Sequence, residues 1–135
     1  MSGRALIVYA DGAARGNPGP AAGGAVLVSP DGEVVDELSC ALGRATNNVA
    51  EYRALILGLT AAAHHGAEDV TVRMDSELVV RQMDGRYRVK NEALKVLHQE
   101  ASALKRKFKR FVIEHVPREM NTEADRLANQ ALDDA

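Results

Sequence analysis

The stretch "YADGAARGNPGPAAGGAV", residues 9–26, decides the fold, because an apolar strand reaches an acid there and the chain then turns back. The run "RALIVYAD" predicts a first strand that is buried on both faces. The small residues that follow are typical of a hairpin, with its turn at "GNPG". Acids are depleted in strands and rarely buried without a partner, so Asp11, at the end of this strand, is expected to meet a positive group.

Periodicity along the rest of the chain predicts the element order β-β-β-α-β-α-α-β-α, a mixed α/β layered fold. Two strands joined by an "SPDG" turn would complete an antiparallel meander. A helix closed by Gly66 follows, and Ser76 is a predicted N-cap of the second helix. The remaining elements are a fourth strand in "DVTVRMDS", an amphipathic helix in "NEALKVLHQEASALKRKF", a fifth strand in "KRFVIEHVP" and a last helix in "NTEADRLANQALDDA".

Length and composition indicate one globular domain over residues 1–135, and we expect a monomer. The single cysteine, Cys40, cannot form an internal disulfide, which fits a reducing cytoplasm. No apolar run is long enough to cross a membrane. The net charge of −2 argues weakly against a polyanionic partner, but basic residues cluster at 81–90 and 105–110. Basic patches beside an acidic pocket would suit a phosphate backbone delivered to metal ions.

Four acids are placed at the ends of predicted elements. Asp11 and Asp75 follow strands, and Glu51 and Asp125 lie in the first turns of helices. Carboxylates that converge on one cleft repel one another, and Mg²⁺ ions, which prefer oxygen ligands, would neutralise them. The local alternative is structural, because "NVAE" and "TEAD" both have the pattern of a capping box.

Taken together, "YADGAARGNPGPAAGGAV", "TNNVAEYRAL", "VRMDSELVV" and "HVPREMNTEADRLANQA" resemble the motifs of type 1 ribonuclease H, in the family's order. The resemblance runs from about Leu6 to Ala131. It implies the ribonuclease H fold, a five-stranded mixed sheet of order 3-2-1-4-5 flanked by helices. It also implies hydrolysis of the RNA strand of RNA/DNA hybrids, leaving 5′-phosphate and 3′-hydroxyl ends.

The resemblance carries over to the four acids one by one. Asp11, in "DG", would bridge two Mg²⁺ ions, with Mn²⁺ as a substitute. Asp125, in "ADRLAN", would complete the site that activates the attacking water. Glu51, in "NNVAE", and Asp75, in "DS", would complete the site that stabilises the leaving 3′ oxygen.

The same resemblance assigns the substrate contacts. Asparagines would touch the RNA strand in the minor groove, and "GRAT" would hold a phosphate of the DNA strand. The basic insertion and tryptophan of some members are absent, so the loop after the second helix must supply the grip, with the basic cluster at 105–110 as a further candidate. The predicted substrate contacts are Gly12, Asn17, Arg44, Thr46, Asn47, Asn48, Ser76, Arg86, Arg88 and Lys90.

Two residues are candidates for an auxiliary group beside the last acid. His115 has the family's spacing from Asp125, but "FVIEHV" alternates like a strand. Arg118, in the loop "PREMN", is better placed to approach the scissile phosphate, and we favour it. Two other functions stay open: a broader nuclease that also cuts double-stranded RNA, and a non-catalytic module that binds hybrids.

Overall fold

A computed structural model of the protein describes residues 4–135. The predicted element order is confirmed, and the five strands form one mixed sheet in the order β3-β2-β1-β4-β5. Strands β1, β2 and β3 are antiparallel, whereas β4 and β5 run parallel to β1. The elements are β1 Arg4–Ala14, β2 Gly19–Val28, β3 Val34–Ala45, α1 Asn47–His64, β4 Ala67–Met74, α2 Glu77–Met83, α3 Glu92–Lys105, β5 Arg110–His115 and α4 Thr122–Asp134.

The opening stretch forms a long β1–β2 hairpin whose strands continue past Asp11. The prediction that β1 ends at Asp11 is wrong, since Asp11 pairs with Gly24 and β1 runs on to Ala14. The parallel pairing of β1 with β4, however, stops at Tyr9 and Arg73. Asp11 therefore lies just beyond the carboxyl end of the parallel part of the sheet, inside a strand that continues as an antiparallel hairpin.

Helices cover both faces of the sheet, and two neighbouring glycines show how closely they pack. A Cβ on Gly23 would contact Ala54 of α1, whereas one on Gly24 would lie less than 3 Å from the backbone of α4. Successive strand residues point to opposite faces, so α1 and α4 lie on opposite sides of β2. The larger core lies on the α1 side and includes Leu6, Val8, Leu55, Leu59, Val70 and Val72.

Burial on β1 alternates, which corrects the prediction of a strand buried on both faces. Leu6, Val8 and Ala10 are buried towards α1, whereas Ile7 and Tyr9 are half-buried. The reason is that α4 covers only part of the second face. Among residues 4–135, no helix is long and apolar enough to cross a membrane.

Both predicted capping boxes are wrong. Helix α1 begins two residues earlier than "NVAE" implies, because Thr46 rather than Asn48 is its N-cap and accepts a hydrogen bond from Val49 N–H at 3.2 Å. Glu51 consequently lies beyond the first turn, where it caps nothing. Helix α4 has Asn121 as its N-cap residue rather than Thr122, and Asn121 makes no side-chain capping bond. Ser76, by contrast, is confirmed as the N-cap of α2.

Candidate active site

Carboxylates from different parts of the fold line one cleft of about 300 Å³. Asp11 lies on β1, Glu51 on α1 and Asp125 on α4, and Asp75 directly follows β4. Because β1 and β4 are parallel, their carboxyl ends meet at the same edge of the sheet, which brings Asp11 and Asp75 together. The structure thus gathers the predicted acids, while their roles as ligands and catalysts stay predictions.

Glycine at position 12 allows α1 to approach the cleft. A Cβ on Gly12 would lie less than 3 Å from the backbone of Ala50 and Glu51, so a larger residue would push α1 away. The close approach brings Glu51 to the edge of the cleft beside Asp75. The predicted substrate contact at Gly12 therefore has a packing role as well.

The electrostatics of the cleft favour protonated or neutralised carboxylates. Asp11 is only 7% exposed, and burial raises its pKa far above the usual range; the charge of Asp75 and hydrogen bonding with Asp125 raise it further. The pKa of Glu51 is raised to about 7, chiefly by burial. A hydrogen bond from Ser76 lowers this pKa, whereas the charge of Asp75 raises it. Positive charge brought into the cleft would relieve both effects.

The donor set fits a hard divalent cation. The cleft offers carboxylate oxygens without a cysteine or histidine ligand among its lining residues, which is the chemistry that Mg²⁺ prefers. Within residues 4–135, no three His, Cys, Asp or Glu side chains are arranged so that they could hold a metal ion as they stand. The acids instead lie as neighbours around Asp11 and Asp75, so water or substrate oxygens would have to complete any coordination shell.

Stability in the absence of metal should fall as the pH rises from 5 to 8. The pKa values of Asp11 and Glu51 are raised on folding, so the folded protein binds more protons than the unfolded chain in this range. The Glu51 shift, from 4.5 to about 7, alone corresponds to about 2 kcal/mol or more. Urea unfolding in EDTA at several pH values measures the slope. An Asp11→Asn, Glu51→Gln double variant should flatten it, and an equally steep slope in that variant would contradict the assignment.

Two asparagines that the sequence analysis missed hold the acids in place. Asn121 donates from Nδ2 to the Ala10 carbonyl oxygen at 2.9 Å and to Asp75 Oδ1 at 3.1 Å. Asn129 donates from Nδ2 to the Asp125 carbonyl oxygen at 3.0 Å and to Asp125 Oδ1 at 3.2 Å. Asn129 lies four residues after Asp125, the spacing that places side chains on one side of a helix, and that spacing was an available signal. The bonds of Asn121 to Ala10 and Asp75 have no such local signal.

Asn121 forgoes the bond that its position favours. Asparagine is among the best N-cap residues, and losing a cap costs a helix about 1 kcal/mol. Here the side chain points inward, is 1% exposed and leaves Oδ1 buried without a hydrogen-bond partner. Such a departure from local preference is expected where a site imposes its own geometry.

The two candidates for the auxiliary group occupy different places. Arg118 lines the acid cleft. It does not lie in an open loop as predicted, because the bond from Met120 N–H to the Pro117 carbonyl oxygen closes a short 3₁₀ helix over Arg118–Met120. His115 is the last residue of β5, pairs with Met74 in the sheet and is not among the residues that line the cleft.

Several predicted substrate contacts also bind within the protein. Asn17 accepts a hydrogen bond from Asn47 N–H at 3.1 Å, which ties the hairpin turn to the start of α1. Asn47 lines the acid cleft, and Asn48 lies in the first turn of α1. Thr46 and Ser76 are helix caps.

The basic residues predicted to hold substrate lie outside the acid cleft. Arg44 is exposed near the end of β3 and lines a separate cavity with Leu132. Arg86, Arg88 and Lys90 are exposed in the connection between α2 and α3, where Arg86 pairs with Asp84 at 3.4 Å. Their role as substrate contacts stays a prediction, and it would have to be exerted away from the carboxylates.

Comparison with known proteins covers nearly the whole chain. A family profile described as "Reverse transcriptase-like" matches residues 9–131. The Ribonuclease HI of Halobacterium salinarum is 50% identical over 133 residues, which are 98% of this chain and 67% of that protein. The Bifunctional protein Rv2228c of Mycobacterium tuberculosis is 53% identical over 131 residues, 96% of this chain. The chain spans only 36% of the length of that mycobacterial relative.

A solved structure of LC11-RNase H1 in complex with an RNA/DNA hybrid is 45% identical to this chain, with a TM-score of 0.91. The match covers 96% of this chain and 97% of LC11-RNase H1. Motif order, sheet order and near-complete coverage agree, and the chain belongs to the type 1 ribonuclease H family.

Proposed function

We propose that the protein is a metal-dependent endonuclease that hydrolyses the RNA strand of RNA/DNA hybrids, with residues 1–135 acting as one ribonuclease H domain. A two-metal mechanism would leave 5′-phosphate and 3′-hydroxyl ends. The observation that carries the proposal is the cleft in which Asp11, Glu51, Asp75 and Asp125 converge. The hybrid bound by LC11-RNase H1 supports the choice of substrate, since that protein covers almost the same chain length.

Asp11, Glu51, Asp75 and Asp125 would hold the ions. Bound there, a pair of Mg²⁺ ions supplies the positive charge that activates a water and stabilises the leaving oxygen, and Mn²⁺ can take its place. Asp11 has both Asp75 and Asp125 as neighbours, and both raise its pKa. This position supports its assignment as the ligand shared by two ions.

Other residues of the cleft would orient the substrate. Arg118 lines the cleft, where its guanidinium would offer charge to the scissile phosphate. Asn47 lines the same cleft, and Asn17 is bonded to it, so both can lie along the RNA strand. Recognition of a 2′-hydroxyl by these amides would distinguish RNA from DNA.

Cleavage of matched duplexes tests the proposal. RNA/DNA, RNA/RNA and DNA/DNA duplexes of one sequence are incubated with wild-type protein and Mg²⁺ or Mn²⁺, and the product ends are mapped. We expect cuts only in the RNA strand of the hybrid, with 5′-phosphate ends. Cleavage of RNA/RNA at a comparable rate would favour the broader nuclease, and hybrid binding without cleavage would favour the non-catalytic module.

Hybrid binding should depend on salt, because exposed basic side chains such as Arg88 and Lys90 are predicted to contact phosphates of the hybrid. Each phosphate contact contributes about 0.9 to the slope of log affinity against log salt. Arg88→Ala and Lys90→Ala should each lower that slope by about 0.9, whereas Arg4→Ala, at the start of β1, should leave it unchanged. Fluorescence anisotropy at several salt concentrations measures the slope. A wild-type slope near zero would show that these residues contact no phosphate.

The choice between Arg118 and His115 can be made by kinetics. Arg118→Ala should lower kcat about 10-fold to 100-fold with little change in KM, since Arg118 lines the cleft and its guanidinium would act on the reacting phosphate. His115→Ala should keep kcat within about twofold, because His115 lies outside the cleft lining. Steady-state kinetics on one hybrid measure both variants, and the opposite ranking would identify His115 as the auxiliary group.

A further inference from the structure

We infer that Asn121 is a positioning residue: its amide group joins Asp75 to β1 beside Asp11 and so sets the geometry of the metal-binding carboxylates. The inference rests on the proposed function, because it assigns Asn121 a part in the metal binding proposed above. Asn121 itself is a support and reaches no substrate, since it is almost fully buried.

The hydrogen bonds of Asn121 fix how its side chain is oriented. Nδ2 has two hydrogens, and both are used: one on the Ala10 carbonyl oxygen at 2.9 Å and one on Asp75 Oδ1 at 3.1 Å. Turning the amide over would place Oδ1 against two other oxygens. The amide therefore has one favourable orientation, and Asp75 is held at a fixed distance from the β1 backbone.

The place of these bonds in the fold links the two strands that carry acids. Ala10 immediately precedes Asp11, and Asp75 immediately follows β4. The sheet itself does not make this link, because the pairing of β1 with β4 ends at Tyr9 and Arg73. Asn121 thus continues the connection between the two strands for the few residues over which their acids meet.

The cost of this arrangement indicates that helix packing alone does not explain it. Asn121 gives up its capping bond at the start of α4, and its Oδ1 is buried without a partner. A residue selected for stability alone would make the capping bond and would leave no buried oxygen without a hydrogen bond. Asn129 bonds Asp125 within the same helix. Helix α4 and the residue before it therefore supply one carboxylate, Asp125, and two amide groups that hold Asp75 and Asp125.

The test removes the amide while keeping the shape of the side chain. Asn121→Leu has the same branching without donors, and Gln82→Ala is the control, since Gln82 is buried and bonds Tyr52 away from the cleft. Calorimetric titration with Mg²⁺ on the protein alone, thermal unfolding, and kcat and KM on a hybrid are measured for each. We expect Asn121→Leu to weaken Mg²⁺ binding about 10-fold or more and to lower kcat at limiting Mg²⁺ with KM for the hybrid unchanged. Gln82→Ala should lower the Tm and leave Mg²⁺ affinity and kcat as in wild type.

Other outcomes decide against the inference or against the function separately. Wild-type Mg²⁺ affinity and kcat in Asn121→Leu, with only the Tm changed, would show that Asn121 is purely structural. If the leucine variant does not fold, Asn121→Ser takes its place with the same expected weakening, because the shorter side chain cannot reach both oxygens. A wild type that binds Mg²⁺ but cuts no hybrid would overturn the proposed function and leave the calorimetric comparison valid. A wild type that binds no Mg²⁺ would overturn both.

Discussion

Asp11→Asn should abolish hybrid cleavage and at the same time make the metal-free protein more stable. The loss of activity, about 10³-fold or more, follows from removing the carboxylate that neighbours both Asp75 and Asp125. The gain in stability follows from the raised pKa of Asp11, because a buried amide carries no charge to desolvate or to repel its neighbours. At pH 8 in EDTA we expect the free energy of unfolding to rise by about 1–3 kcal/mol.

The opposite signs of the two effects separate a catalytic role from a structural one. Initial rates on a hybrid with Mg²⁺ give the first effect, and urea unfolding without metal gives the second. Asp31→Asn is the matched control, since it makes the same chemical change in the exposed turn after β2 and should leave activity unchanged. Because it weakens the bond from Ser29 Oγ to the carboxylate, its effect on stability has the opposite sign to that of Asp11→Asn. If Asp11→Asn lost activity and stability together, the carboxylate would be supporting the fold rather than the reaction.

The order of the elements could be predicted from the sequence because each element has a strong local signal. Alternating Val70, Val72 and Met74 marked β4, and the apolar face of Leu94, Leu97 and Ala101 marked α3. The sheet order was accessible only through the resemblance of four motifs to a known family, since no local pattern states which strands are neighbours. The same resemblance predicted that the four acids converge on one cleft.

Features that depend on distant contacts were not predictable. The bond from Asn121 to Ala10 joins residues 111 positions apart, so nothing in the local string "EMNTEAD" indicates it. The capping boxes failed because helix starts depend on where the preceding element ends: β3 ends at Ala45, which leaves Thr46 as the cap of α1. Arg118 was assigned to a loop since three residues of 3₁₀ helix have too little periodicity to be recognised.

The glycines of the opening stretch have a packing role that the sequence analysis did not predict. The sequence analysis interpreted Gly12 as a substrate contact. The structure shows in addition that α1 packs where a side chain at this position would be, as α4 does at Gly24. The small residues around Asp11 thus allow both helices that carry acids, through Glu51 and Asp125, to approach the sheet closely.

Gly12→Ala should therefore destabilise the protein by about 3 kcal/mol or more, the upper range for overpacking a well-packed site. The added Cβ would lie less than 3 Å from the backbone of Ala50 and Glu51, which cannot rotate away as a side chain could. Gly66→Asn is the matched control: Gly66 has a φ of +77° that asparagine tolerates, and nothing within 4 Å would meet its Cβ, so its cost should stay below about 1 kcal/mol. Urea unfolding measures both variants, and hybrid affinity is measured alongside. Because displacement of α1 also moves Glu51, Gly12→Ala should lose activity even where it stays folded. Wild-type stability combined with weakened hybrid binding would instead show that Gly12 is needed for the approach of the substrate rather than of the helix.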